Sequence, residues 1–256
     1  MPAPEPHRLV VVGASNLARM ALALLDAQRA AAARPVEMHA TSGRGRSYGM
    51  ASRLLGRGLD SILDSGMWQH LAGAAPRATT ALLMDVGNDL LYGAPVPRIL
   101  EWAATTLQRL VAGSARRVVI GLPIDAIRTL SVARYLVVRS VLFPACRLGL
   151  TQAIDGAMAL HEGLAALAPK HGATFHALPA AWFGLDPVHV RRACWDDAAR
   201  TWLEAPPAGN GQRVDSTIER LRLLLLAPAE RRWFGHRRCH AQPARHWRDG
   251  SSLSLW

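Results

Sequence analysis

Short, unbroken apolar runs alternate with longer helical patterns, and this alternation limits the folds open to the chain more than any other feature. Residues 9–12, 36–40, 81–86, 118–122 and 174–177 read as strands. Between them, residues 17–33, 50–63, 98–112 and 132–168 carry apolar positions three and four apart, the spacing of a helix with one buried face. The last of these is long enough for more than one helix. A strand that is apolar without alternation is buried on both sides, as in a parallel sheet with helices on both faces. The reading is a doubly wound, three-layer α/β/α sandwich around a five-stranded parallel sheet.

The texture changes after about residue 205. Pro206 and Pro207 open a linker signal that runs to Gly211. Residues 214–226 form one helix, with Asp215 or Ser216 as N-cap and Glu219 near its third position. The division expected is a domain of residues 1–205 and a helical and irregular extension of 206–256. In that extension Trp233, Phe234, Trp247 and Trp256 serve as anchors on the domain or on a second subunit, a homo-oligomer contact.

Half of the 256 residues are hydrophobic, enough to fill a sizeable core. No apolar run approaches the roughly 20 residues that span a bilayer. The first strand begins by about Leu9, with no room before it for a secretory signal, so a cytoplasmic location is expected. Cys146, Cys194 and Cys239 are odd in number and scattered, as reduced thiols would be. The net charge of +11 invites a nucleic-acid reading. Only Lys170 among the 30 basic residues is a lysine, however, a skew that points to coding bias rather than phosphate contacts. No nucleic-acid partner is expected.

The chemistry starts at Gly13-Ala14-Ser15-Asn16, where an apolar run ends abruptly and a helix pattern follows. That arrangement sets a serine hydroxyl at the carboxyl edge of a sheet, on a helix's first turn, where backbone N–H groups lack partners. A serine there can act as nucleophile, and the same N–H groups can stabilise the oxyanion that its attack creates. In an open α/β sheet, functional groups gather at the carboxyl ends of the strands. The second strand leads into Thr41-Ser42-Gly43-Arg44-Gly45, whose glycines allow a ligand to approach the backbone. The third ends in Asp85-Val86-Gly87-Asn88-Asp89, and an asparagine amide is a neutral donor suited to an oxyanion. The fifth is followed by Asp186-Pro187-Val188-His189, where a carboxylate three residues before an imidazole can orient it as a base.

Together these segments resemble the blocks of the SGNH (GDSL-type) hydrolases, over about residues 8–200 and in that family's order. The resemblance implies a flavodoxin-like sandwich and a serine hydrolase of carboxylic esters, of the esterase, lipase or deacetylase type. It implies a triad of Ser15, His189 and Asp186 working through an acyl-enzyme, with no metal and no cofactor. It also implies an oxyanion hole of Ser15, Gly43 and Asn88, with Gly45 as the alternative to Gly43. The sequence departs from the family in having Ala14 before the nucleophile, where an acid is usual, and Val86-Gly87 before Asn88. Leu90, Leu91, Tyr92, Trp182, Phe183 and Leu185 are candidates for the walls of the substrate site, with a small-molecule ester as partner.

An acyltransferase using the same acyl-enzyme and a silent binding module on the same fold are the alternatives. A dinucleotide-binding fold is disfavoured because residues 13–18 lack two of the fingerprint's three glycines. His236, Cys239, His240 and His246 include metal-ligand types, but their spacing matches no strong zinc pattern, and no metal site is assigned to them.

Overall fold

The computed structural model describes residues 4–54, 57–111, 113–207, 213–234 and 236–256. β1 (His7–Val12) is followed at once by α1 (Ser15–Ala32), β2 (Val36–Thr41), a hairpin of β3 (Ser52–Leu54) and β4 (Arg57–Leu59), and α2 (Met67–Ala72). Next come β5 (Thr79–Leu83), α3 (Asn88–Leu91), α4 (Val96–Val111), β6 (Arg116–Ile120), α5 (Ile124–Arg128), α6 (Val132–Leu142), α7 (Leu150–Lys170) and β7 (Thr174–His176). The chain closes with α8 (Trp195–Leu203), α9 (Thr217–Leu225), β8 (Glu230–Trp233), β9 (His236–Cys239), β10 (Arg245–His246) and β11 (Ser252–Leu255).

The five strands expected are present as β1, β2, β5, β6 and β7, paired in parallel in the order β2-β1-β5-β6-β7. The count of five needs correction. β11 adds in parallel to β2, and β10 adds antiparallel to β11, giving seven strands. Within β1 the two faces separate cleanly. Leu9 and Val11 point into a core shared with α1 and α8, whereas Val10 and Val12 point into one shared with α4 and α7. Burial on both faces is why these strands lack polar alternation.

Of residues 50–63, expected as a helix, the described ones instead form the strands β3 and β4 and turns, and α2 begins only at Met67. Gly56 and Gly58 interrupt the apolar spacing, at a cost of about 1 kcal/mol each in a helix interior. Gly58 pairs with Arg232 of β8, so this hairpin joins β8 and β9 in a four-stranded antiparallel sheet. The tail was expected to hold one helix and irregular chain. The helix is there, with the Ser216 hydroxyl accepting from the Glu219 N–H at 3.2 Å. The rest supplies four strands. Of the linker signal, residues 208–211 lie outside the described residues. Trp247 and Trp256 pack against the two cores, whereas Trp233 and Phe234 are exposed and contact each other rather than the domain core.

The strand order places the turn after β1 beside the turn after β5, where the connections leave in opposite directions. This is the switch point at which open α/β sheets bind ligands. Among the described residues, no helix is long and apolar enough to cross a membrane.

Candidate active site

Ser15 opens α1 three residues after β1 ends, and the turn between them is tight. A Cβ at Gly13 would lie 2.7 Å from the Met84 side chain and 3.2 Å from the Cβ of Leu17, so only glycine fits there. The helix lacks a local cap: Ala14 occupies the capping position, and the first turn holds no acid. Asp85, just beyond β5, fills that gap from across the sheet. Its Oδ2 accepts from the N–H groups of Ala14 (2.8 Å), Asn16 (3.0 Å) and Leu17 (3.2 Å). A carboxylate at a helix N-terminus satisfies otherwise orphaned donors and opposes the positive end of the dipole. Asp85 reaches this position with a left-handed backbone, φ +63°. The N–H of Ser15 is left out of this set and has no acceptor among the described residues.

The Asn16 side chain carries the turn across to the last loop. Its Nδ2 donates to Asp85 Oδ1 (2.8 Å) and to the carbonyl of Val188 (2.9 Å), while its Oδ1 accepts from the N–H of Val190 (2.9 Å). One buried amide therefore grips the backbone on both sides of His189. The His189 ring lies with Nε2 2.9 Å from Ser15 Oγ and Nδ1 2.5 Å from Asp186 Oδ2. The other oxygen of Asp186 accepts from the N–H groups of Val188 (2.9 Å) and His189 (3.3 Å). Partial burial of Asp186 opposes its ionisation. The His189 contact and these two N–H donors outweigh that, and the carboxyl is held below its ordinary range.

The glycine-rich loop after β2 runs beside this turn, because Thr41 is in register with Val12. Gly43 and Gly45 have different reasons to be glycine. A Cβ at Gly43 would sit 2.8 Å from the Leu59 side chain, whereas Gly45 has φ +73° and closes the turn. Asp89 ties this loop to α3 by accepting from the Ser47 hydroxyl and from the Tyr48 N–H at 3.0 Å. Burial raises the Asp89 carboxyl to about 6 despite those donors. Asn88, next to it, is buried, and its amide engages no other group among the described residues.

A cavity of about 120 Å³ adjoins the site. Asn16, Asp85 and Asn88 form its polar end, and the remaining wall is mostly apolar, including Leu90, Leu91 and side chains of α6 and α7. Four proposed wall residues lie elsewhere. Trp182 packs edge-on against Trp202, and Phe183 is buried in the core under α1, because the turn that carries them faces α8. Leu185 is exposed. Tyr92 spends its hydroxyl on the carbonyl of Gly45 (2.9 Å) and its ring on Phe143. In the tail, His236 and Cys239 lie at opposite ends of β9, and His246 lies in β10 of the other sheet. No group of three or more His, Cys, Asp or Glu among the described residues is placed to hold a metal.

Sequence reasoning passed over Asp85 and the amide of Asn16. The available signal was an acid directly after an apolar strand, together with a helix start that lacks its own cap.

No model of a known protein family matches the chain, and no curated protein matches it in sequence. Among solved structures, one superposes with a TM-score of 0.53 at 13% identity, over 78% of this chain and 96% of its own. The psychrotrophic esterase EstA from Pseudoalteromonas sp., inhibited by monoethylphosphonate, aligns at a TM-score of 0.47 and 12% identity, covering 77% of this chain and 94% of its own. TesA aligns at 0.46 and 15% identity, covering 75% and 94%. At such identities the likeness concerns fold alone. The parallel core in the order β2-β1-β5-β6-β7, with helices on both faces, is a flavodoxin-like fold.

Proposed function

We propose that the chain is a serine hydrolase of carboxylic esters that works through an acyl-enzyme. One observation carries the reading. A serine hydroxyl, an imidazole and a carboxylate form a continuous hydrogen-bonded relay, with Ser15 and His189 separated by 174 positions in sequence. Structural histidines pair with serines or with acids; a relay at the switch point of the sheet, on the first turn of a helix, is an arrangement for making a nucleophile.

In this reading Ser15 Oγ attacks the ester carbonyl carbon and passes its proton to His189 Nε2. Asp186 holds the ring so that Nδ1 keeps its hydrogen and Nε2 faces the serine, and it stabilises the imidazolium that forms. The negative charge that develops on the carbonyl oxygen meets three donors: the uncommitted N–H of Ser15, the N–H of Gly43 and the side-chain amide of Asn88. Gly43 is preferred to Gly45 because Gly45 is used in closing the turn. When the tetrahedral species collapses, the C–O bond to the alcohol breaks and His189 returns the proton to the leaving oxygen. Water, deprotonated by the same imidazole, then attacks the acyl-enzyme and releases the acid and the free serine. The cavity is close in size to the 150 Å³ that accommodates a benzene ring, so it accepts a group of about six carbons.

The test is hydrolysis of p-nitrophenyl acetate and butyrate together with labelling by a fluorophosphonate. Wild type should hydrolyse the esters and label at one serine. Ser15→Ala should lose both, and His189→Ala should lose at least 10³-fold in kcat. Full activity in either variant refutes the assignment.

A further inference from the structure

The helix α6 has an unusual distribution of apolar side chains. Its inner side closes the cavity with Tyr135 and Val138, and Phe143 continues the wall just past its end. Its outer side is apolar as well: Val137 is 64% and Val141 73% exposed, with Val132 and Leu136 alongside. Exposed apolar side chains grouped along a helix mark contact with another apolar phase, and α6 carries them beside Arg134, Arg139 and Ser140. Leu185, 85% exposed, extends the same surface. Arg134 holds it there by donating to the carbonyls of Gly184 and, at 2.7 Å, Leu185. That carbonyl belongs to the residue before Asp186, so the apolar surface is physically attached to the loop of the candidate site.

The charge around this surface is mainly positive: between Asp125 and Asp155 the chain contains four arginines and no acidic residue, and Asp186 follows Leu185. Arg134 and Arg139 are turned to backbone carbonyls, while Arg128 and Arg147, before and after α6, are exposed. A second copy of the chain docked here would bring equal positive charges together, in a molecule already at +11. An anionic lipid surface offers what both features need, an apolar phase for the valines and leucines and negative headgroups for the arginines. We propose that α6 and Leu185 form a membrane-surface binding face that seats the protein on anionic lipid, with the helix lying in the interface and crossing nothing. Resting on the hydrolase reading, this face would present the candidate site to acyl esters carried in that surface.

The experiment is co-sedimentation of the full chain with vesicles of phosphatidylcholine alone and of phosphatidylcholine with phosphatidylglycerol. The wild type should bind the anionic vesicles more tightly than the neutral ones, and high salt should weaken that binding. Val137→Asp with Val141→Asp should lower partitioning by about a hundredfold, since each valine contributes about a tenfold gain on burial. These positions are solvent-exposed, so the fold and the hydrolysis of soluble p-nitrophenyl butyrate should be unchanged. Arg128→Gln with Arg147→Gln should lower binding to the anionic vesicles by about 25-fold. Ser15→Ala should bind as wild type does, which separates this proposal from the hydrolase reading. Absence of vesicle binding, equal binding to both compositions, or wild-type binding by the double valine variant would each overturn it. A wild-type dimer that the valine substitutions dissociate would also overturn it, because the face would then be a contact between copies.

Discussion

Replacing Asn16 with alanine removes three hydrogen bonds, one to Asp85 and two that join the helix of the proposed nucleophile to the loop of the proposed base. Their loss is unequal. The bond to the Asp85 carboxylate is charge-assisted and contributes about 1.5–3 kcal/mol. The N–H of Val190, a buried residue, is left without an acceptor at a cost of about 1–3 kcal/mol. The carbonyl of Val188 lies on a partly exposed residue and can turn to water. The sum, roughly 2.5–6 kcal/mol, is a large share of the ~5–15 kcal/mol that holds a domain folded. For a chain of this length it lowers Tm by roughly 10 °C without unfolding the protein at room temperature. The catalytic effect is separate. Without the amide the backbone around His189 keeps only the Asp186 contacts within its own loop and the Trp195 indole on the Val190 carbonyl, losing its tie to the helix of Ser15, and a shift of about 1 Å in a positioned group costs on the order of 10²-fold. Circular dichroism melts and p-nitrophenyl butyrate kinetics, run well below the lowered Tm, measure the two effects. The expected outcome is a fall of about 10² in kcat with a smaller change in KM. A kcat within twofold of wild type, or a Tm within a degree or two of it, would refute the clamp.

Asn88→Ala should lower kcat by about 10²–10³ if its free amide meets the oxyanion, whereas a loss confined to KM would make it a substrate contact. Gly43→Ala should reduce stability, because Leu59 occupies the space that the added methyl needs; an unchanged Tm would show that the loop gives way freely. Asp89 offers a pH test. Its folded-state value of about 6 lies above the ordinary 3.8, so burial favours the protonated form. The stability that it contributes is complete below about pH 4 and is lost as pH rises through about 6. Asp89→Asn should therefore flatten the decline in Tm between pH 4 and pH 8 relative to wild type, and identical slopes in the two proteins would contradict this.

The parallel core was legible because Leu9–Val12 and its partners are apolar at every position, a pattern that only burial on both faces sustains. Within the site, Ser15, Asp186 and His189 were readable from local grammar, a serine at a strand-to-helix turn and an acid three residues before an imidazole. Asp85 was not, since its role depends on a left-handed backbone and on a strand neighbour 70 residues away. Trp182 and Phe183 were misplaced for a related reason: an aromatic beside a candidate acid can face either layer, and the register of the short turn Ala180–Trp182 decides which. The edge strands escaped because Ser252 and Ser254 alternate with Leu253 and Leu255, yet all four are buried. Alternation there is no guide to exposure.

The seventh strand has a consequence for how the molecule is made. β11 follows the other described strands in sequence, yet it lies between β10 and β2 rather than at a rim. Until it arrives, the backbone donors and acceptors along one side of β2 stay open, an invitation to pairing between nascent chains. Completion of the sheet therefore waits for residues 252–255, and a chain lacking them would expose an adhesive border. The indole of Trp256 also packs against His39 and His70, which adds side-chain cover along the same border.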